Sequence, residues 1–548
     1  MSTADDTSGS QPMSHREILV VLAGLLTGMF LVALSQTSIT TALPTIAGEL
    51  GGVDLVAWIV TAYLLAATAA TPLFGRISDV YGRDRIFKLA LIIFLAGSVL
   101  AALAPTMVWL IAARAVQGVG GGGAMVLTMT IIGDILSPRE RGRYQGYLGA
   151  VFGVAAVSGP LVGGVLVDQL DWRWVFWMNV PLGAAALVVT SKVLHLPSRR
   201  VQQRIDYLGA LLLVVGVSAL LLGAAWGGNQ YAWGSPVIIT LGVTGVVLSA
   251  LFVLRQRTTE HPIIPLRLFT SRTFSLAASG AFVVGALMFT AMVFLPVFLQ
   301  LVTGATATEA GLLMGPLMAG LILASVVSGR LITRTGRYKR YPIAGTALSG
   351  LAFALLATMD VDTTRLQAGV FMALLGIGLG MVMQNLILVA QNDAPAADLG
   401  IVTATVNFTR TLGGSIGTAV FGAVMAAGLT ARLRRTLPEG TDVDPAAVQG
   451  TPQAILSMET EVRDAVVEAF SGSVSTVFVA SVPLAVIAFV LMWLIPEHPL
   501  RETAHIGSAR TDLPGSGVAG AAVPPETRRS SWRRPRLPRN ASDRRNRR

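Results

Sequence analysis

Charged side chains are scarce in this chain, 13% of 548 residues, and a few of them interrupt apolar runs where a charge is expensive. Arg114 and Gln117 lie one helical turn apart inside such a run. The guanidinium must therefore face the protein interior or an aqueous cavity, and Gln117 is placed to share its hydrogen-bond network. Asp79 and Arg83 are four apart, the spacing of a helical ion pair, and Asp79 could equally face a helix N-terminus. Asp134, Asp206 and Glu309 are further carboxylates near the ends of apolar runs. The chemistry open to such groups is proton exchange and the making and breaking of ion pairs as their surroundings change. Metal and hydrolytic chemistry find no support. There is no cysteine, the histidines at 15, 195, 261, 498 and 505 have no metal-ligand spacing, and no cluster of His, Asp, Glu and Ser converges within the spans. No metal ligand, cofactor site or catalytic residue is assigned, and an enzyme is disfavoured.

The elements that position these residues are membrane-spanning helices. With 53% hydrophobic residues and a mean hydropathy of +0.66, the chain has too few charges to cover a soluble globule of its size. At about 20 apolar residues per crossing, fourteen spans are predicted. They lie near 18–42, 55–75, 86–104, 107–132, 143–167, 173–195, 206–225, 236–255, 274–301, 309–333, 340–359, 365–391, 402–427 and 473–495.

A charged hairpin, Gly75 to Arg85, returns as Gly329 to Lys339. Both copies keep a glycine followed by an arginine, a second glycine seven residues on (Gly82, Gly336), another arginine and a further base. Gly75 permits close helix approach, and Gly82 a tight turn. The repeat implies two related halves. They have diverged where charge matters, because Asp79 of the first copy is Thr333 in the second. The hairpins follow spans 2 and 10, whereas two six-helix halves would place them after spans 2 and 8, so spans 7 and 8 are the extra pair. The expected organisation is an N-terminal tail over 1–17, a six-helix bundle over 18–205, two additional helices and a linker over 206–273, a second six-helix bundle over 274–500 with a loop near 428–472, and a tail over 501–548. The loop mixes both charge signs, and Ala454 to Phe470 carries an amphipathic pattern.

Basic residues accumulate in alternate short loops, including Arg76, Arg83, Arg139, Arg199, Arg255, Arg330 and Arg337, while the intervening loops offer Arg173 and Arg365. By the positive-inside rule both termini are cytoplasmic. Most of the formal charge of +11 resides in the tail, where twelve arginines and four acids follow residue 500. That tail is rich in Pro, Ser, Gly and Arg, reads as disordered, and is explained by attraction to anionic lipid headgroups rather than by nucleic acid. Three lysines against 38 arginines hint at a GC-rich bacterial genome.

The hairpin resembles the loop signature of the major facilitator superfamily, and other stretches are similar to its fourteen-helix drug:proton antiporter branch. They are Trp58 to Leu64, the tryptophan-rich Trp172 to Pro181, Leu295 to Gln300, and Thr409 to Gly414, in order and at matching helix positions. The resemblance implies an all-α integral membrane fold of two six-helix bundles plus two extra helices. It implies proton-coupled export of toxic organic compounds by alternating access in the cell membrane, as an antiporter acting as a monomer. Asp79 with Arg83 would be a conformational latch, and Arg114 a residue linked to proton transfer. Gly149, Gly153, Gly159, Pro160, Gly163 and Gly164 are similar to the glycine-proline antiporter signature of exporters, although small residues four apart with a kinking proline also have a complete packing explanation. One departure stands out: where the branch carries an aspartate in its first helix, this chain has Ser35. Since Ser35 does not titrate, coupling falls to another carboxylate, with Asp134 and Glu309 as the candidates. A cavity is expected around Ser35, Gln36, Gln300, Gln384, Asn385 and Asn407 among methionine-rich walls, suited to neutral or weakly charged compounds. The alternative on the same scaffold is export of a native metabolite, a lipid or a self-made antibiotic.

Overall fold

A long apolar segment in a bilayer has no water to satisfy its backbone, so every amide and carbonyl must be paired within the segment, and helix is the outcome. The computed structural model describes residues 15–51, 55–194, 206–228, 230–305, 307–436 and 460–500, and these are helical almost throughout. The first half comprises α1 His15–Leu50, α2 Val56–Tyr81, α3 Arg83–Ala102, α4 Met107–Ile135, α5 Pro138–Gln169, the short α6 Trp174–Trp177 and α7 Asn179–Val193. The two helices expected as the extra pair are α8 Tyr207–Trp226 and α9 Pro236–Thr258. The second half comprises α10 Arg272–Val302, the short α11 Ala307–Leu313, α12 Gly315–Thr335, α13 Arg340–Leu356, α14 Arg365–Asp393, α15 Leu399–Thr436 and α16 Thr460–Leu494.

Thirteen of the described segments are long and apolar enough to cross a membrane, with α6 and α7 acting as one and α11 and α12 as another. The fourteenth expected crossing is α13, a 17-residue helix. The protein is thus an all-helical, multi-pass membrane protein.

Both hairpins turn at the predicted glycines. Gly82 has φ 96° and donates its N–H to the Ser78 carbonyl at 3.1 Å; Gly336 has φ 68° and donates to Ile332 at 2.8 Å. Only glycine adopts such φ values without steric cost, so each helix stops there and the chain reverses. Eight crossings separate the two turns, which puts both hairpins on one face of the bundle. That end is called the hairpin face below.

The halves meet along two seams. In one, α2 packs on α15; in the other, α5 packs on α12. The extra pair does not stand apart, because α8 packs on both α2 and α15. Its start is fixed by Asp206, which caps α8 through the Gly209 amide at 3.1 Å and also accepts from Arg255 and Gln256 of α9, each at 3.2 Å. Asp206 therefore ties the extra helices to each other. The loop expected near 428–472 narrows at both ends, since helix runs on to Thr436 and resumes at Thr460. The amphipathic pattern there extends α16 backward, while 437–459, the N-terminal 1–14 and the tail 501–548 lie outside the described residues.

Candidate functional site

On the hairpin face, α2 and α15 approach backbone to backbone. A Cβ on Gly75 would sit 2.9 Å from the Gly400 carbonyl oxygen, so only glycine permits this closeness. The approach brings Asp79 to the first turn of α15, where its Oδ2 accepts the backbone N–H of Ile401 at 3.2 Å. A helix N-terminus presents unsatisfied N–H groups and a partial positive charge, so a carboxylate belongs there. The other oxygen, Oδ1, accepts from Arg83 Nη2 at 3.1 Å. Arg83 in turn pairs with Asp134 of α4 and donates to the Thr130 carbonyl at 3.4 Å. Asp79, Arg83 and Asp134 thus form one cluster, with side chains only 4%, 11% and 12% exposed, in which two carboxylates share one guanidinium. The two carboxylates outnumber the guanidinium that they share, while Arg76 also acts on Asp79, which rests against the amide of the opposite half.

Other cross-seam bonds reinforce this closure. Gln391 of α14 donates to the Met129 carbonyl of α4 at 3.5 Å and to Thr403 at 2.8 Å, and Asn407 Nδ2 lies 3.3 Å from the Met129 sulfur. In the second hairpin, Thr333 donates its hydroxyl to the Gly329 carbonyl of its own helix at 3.0 Å.

Arg114 is completely interior, at 1% exposure. Its Nε donates to the Ile59 carbonyl at 3.2 Å, its Nη1 to Gln117 Oε1, and its guanidinium lies 4.3 Å over the Tyr63 ring. Gln117 continues the chain to Ser98 at 2.5 Å and Ser35 at 3.3 Å, both of which also receive Asn179 Nδ2. Ser35 therefore belongs to a sealed polar network, and no carboxylate enters it among the described residues. Asn179 Oδ1 is buried there without a hydrogen-bond partner.

The glycines of α5 divide by role. Gly149 and Gly153 lie against Ser325 and Ile322 of α12, across the second seam, whereas Gly159 and Gly163 receive α1 at Thr37, Ser38 and Thr41. Thr37 donates across that contact to the Ala155 carbonyl at 2.8 Å, near the Pro160 interruption of α5. A Cβ on Gly164 would meet open space.

Farther from the hairpins, a cavity of about 420 Å³ lies between the halves. Thr61, Leu64 and Thr68 of α2 form one wall, Leu221 and Ala224 of α8 a second, Phe289 and Phe294 of α10 a third, and Thr411, Ser415 and Thr418 of α15 a fourth. Among the described residues no charged side chain lines it. The polar residues singled out in the sequence are not on its wall. Gln384 and Asn385 are buried, the latter donating to Met381 of its own helix at 2.6 Å, and Gln36 and Gln300 are partly accessible. Glu309 is exposed, at the end of the molecule away from the hairpins.

A profile of the Major Facilitator Superfamily matches residues 25–418. The chain belongs to this superfamily. An MFS-type transporter of Mycobacterium tuberculosis is 39% identical over 516 residues, covering 94% of this chain and 74% of that one. The multidrug transporter protein MdtP of Bacillus subtilis is 38% identical over 414 residues, 76% of each chain. Among solved structures, the human organic anion transporter MFSD10 superposes with a TM-score of 0.58 over 88% of this chain and 100% of that one; at 16% identity the likeness is one of fold. This major facilitator protein is therefore a transporter of small molecules, not an enzyme.

Several positions of the candidate site leave little trace in sequence. The Ile401 amide is a backbone donor, which any residue supplies. The cavity hydroxyls are threonines and serines of apolar helices, a type that commonly bonds its own backbone. The signal that could have found them is spacing: Thr411, Ser415 and Thr418 recur at helical intervals and so share one face.

Proposed function

We propose that the protein is a proton-coupled exporter of hydrophobic organic compounds, working by alternating access between its two halves. The observation that carries this reading is the hydrogen bond from the Ile401 amide to Asp79, which joins the halves on the hairpin face while the cavity lies beyond it. With the hairpins in the cytoplasm, as the basic loops argue, this is a carrier closed inward and loaded or emptied from outside. Both termini are then cytoplasmic, and the resemblance to bacterial multidrug transporters supports a bacterial cell membrane.

The Asp79, Arg83 and Asp134 cluster supplies the coupling. A proton taken up by Asp79 cancels its attraction to the α15 N-terminus and frees the halves to part on the hairpin face. Asp134 takes part by competing for Arg83: a proton on either carboxylate leaves the guanidinium to the other. Compound entering the cavity from the cytoplasm and proton leaving the cluster to the cytoplasm then belong to the same inward-open state, so the two cross the membrane in opposite directions, which is antiport. Glu309, exposed at the other end, stays outside this exchange.

Inverted vesicles with an acid lumen and a pH-sensitive dye test the reading. Addition of an aromatic antibiotic should alkalinise the lumen, and Asp79→Asn should abolish that response. Accumulation of compound with no proton movement in the wild type would overturn the coupling.

A further inference from the structure

We infer that Arg410 anchors the anionic group of the transported compound, so that the carrier takes amphipathic monoanions whose apolar body fills the neighbouring cavity. The inference rests on the export reading above and names its substrate class.

Arg410 lies about a third of the way along α15, and among the described residues one hydrogen bond accounts for its side chain: Nη2 donates to Asn407 Oδ1 at 2.7 Å. A guanidinium carries about five N–H donors and stays charged at any working pH. Most of those donors therefore face no protein acceptor. No carboxylate among the described residues pairs with it, although Arg83, Arg173, Arg255 and Arg267 all have acidic partners. Arg114, the other deep arginine, is satisfied by a carbonyl, an amide and an aromatic face. Arg410 is also partly accessible, where Arg114 is sealed. A cation kept inside a membrane span without a counter-charge is the exception that a ligand of opposite charge explains.

Its position suits that role. Asn407, which holds the guanidinium, reaches across to the Met129 sulfur of α4, so the cation sits at the seam between the halves. Thr411, the next residue, and Ser415, one turn on, already line the cavity. The cavity is apolar on the sides of Leu64, Leu221 and Phe289, carries hydroxyls on α15, and has the volume of a small-molecule site. A planar carboxylate matches the guanidinium fork, and an aromatic or acyl body matches those walls. Because Arg410 belongs to one half and Met129 to the other, a bound anion would experience the cation differently as the seam opens.

The test uses the full chain in phosphatidylcholine nanodiscs, with naphthylacetate and its uncharged methyl ester as probes and calorimetry as the readout. In the wild type the acid should bind more tightly than the ester. Arg410→Gln should weaken the acid by about tenfold, the loss expected for one hydrogen bond to a charged group, and leave the ester within about twofold. Arg410→Lys, which keeps the charge, should recover much of the difference and guards against a folding defect in the glutamine variant. Equal loss of acid and ester in Arg410→Gln, with equal rescue by lysine, would assign Arg410 to packing and overturn the inference. Repeating the titration with phosphatidylglycerol in the discs separates a solute site from a lipid site: unchanged affinity supports the former, and competition overturns the claim about substrate. Uptake into inverted vesicles is scored separately. Arg410-dependent binding without uptake leaves the anion site standing and removes the export reading. Equal uptake of the acid by wild type and Arg410→Gln does the reverse.

Discussion

Asp79 and Ile401 lie 322 residues apart in the chain, yet the carboxylate of one accepts the backbone amide of the other at 3.2 Å. An acid placed at a helix N-terminus is a common local device, but here the helix belongs to the opposite half of the molecule, so the bond joins two bodies that a carrier must separate. Replacing Asp79 by asparagine keeps the shape and removes the charge. A hydrogen bond to a charged group contributes roughly 1.5–3 kcal/mol, so the ratio of open to closed hairpin face should rise about tenfold or more. Because the chain has no cysteine, spin labels can be introduced without background at Tyr81 and Arg340, both exposed on the hairpin face. The wild type should give one short distance, and Asp79→Asn should add a longer population. An unchanged distribution would remove Asp79 as the latch.

Two neighbouring glycines of α5 offer a cleaner separation of packing from motif. A Cβ on Gly163 would press on the Ser38 carbonyl and the Thr41 hydroxyl, whereas one on Gly164 would meet nothing. Gly163→Ala should therefore destabilise by about 1–3 kcal/mol through overpacking against α1. Gly164→Ala should fall within about 0.5 kcal/mol of wild type, as a substitution without neighbours does. Thermal unfolding in detergent reads both. Equal losses would mean that the glycine pattern serves something other than the α1 contact.

Much of this architecture was legible in the sequence for definite reasons. Span count follows from hydropathy and the Asp79 and Arg83 pair from four-residue spacing; both are local properties, and the structure has the pair together with thirteen crossing-length segments among the described residues, α13 being the shorter fourteenth. Arg114 and Gln117 also share a network, as their spacing allowed. The cavity wall was not legible, because it is assembled from α2, α8, α10 and α15, and sequence distance carries no information about which faces of four helices converge. Amides such as Asn385 attract notice as polar residues in a span, but bonding to the previous turn of their own helix satisfies them without a cavity. The isolation of Arg410 was invisible for the opposite reason, since lack of a partner is a property of the packed molecule alone.

The chain beyond α16 is tied to α14 by the Asn392 bond to the Pro499 carbonyl at 3.3 Å and the contact of His498 with Asp393, and to the second hairpin by the Tyr338 hydroxyl. Tyr338 donates to the Pro496 carbonyl at 3.0 Å and accepts the His498 amide at 2.9 Å. Burial pushes the Tyr338 hydroxyl above the ordinary tyrosine range, so it remains a protonated donor. The sign follows: a folded-state value raised above the unfolded one leaves this contact complete below the unfolded pKa, and stability is lost as pH rises through and beyond that value. Tyr338→Phe should remove both bonds and speed hydrogen exchange over 495–500, with melting lowered by about 1 kcal/mol or more. Exchange in that segment identical to wild type would show that the hydroxyl does not hold it.

Ser35 is the most informative single position for coupling. Its hydroxyl receives Gln117 Nε2 at 3.3 Å and Asn179 Nδ2 at 3.2 Å, and Gln117 is the partner of Arg114. Two amide donors already point at the place where an added carboxylate would lie, with a guanidinium one residue behind them. Ser35→Asp should therefore be accepted as a buried ion, because donors and counter-charge are pre-positioned. Ser35→Leu must fit a larger side chain into the same interior and leaves Ser98 as the acceptor that both amides retain, at a cost of roughly 1 kcal/mol for each hydrogen bond lost. The two variants thus separate volume from polarity in thermal unfolding, with aspartate the more stable. The aspartate variant should also add a proton-binding group to the first half, so drug-induced proton movement in inverted vesicles should increase relative to wild type. Aspartate as destabilising as leucine would mean that the Arg114 network is sealed too tightly to admit charge, and that coupling in this chain belongs to the Asp79, Arg83 and Asp134 cluster alone.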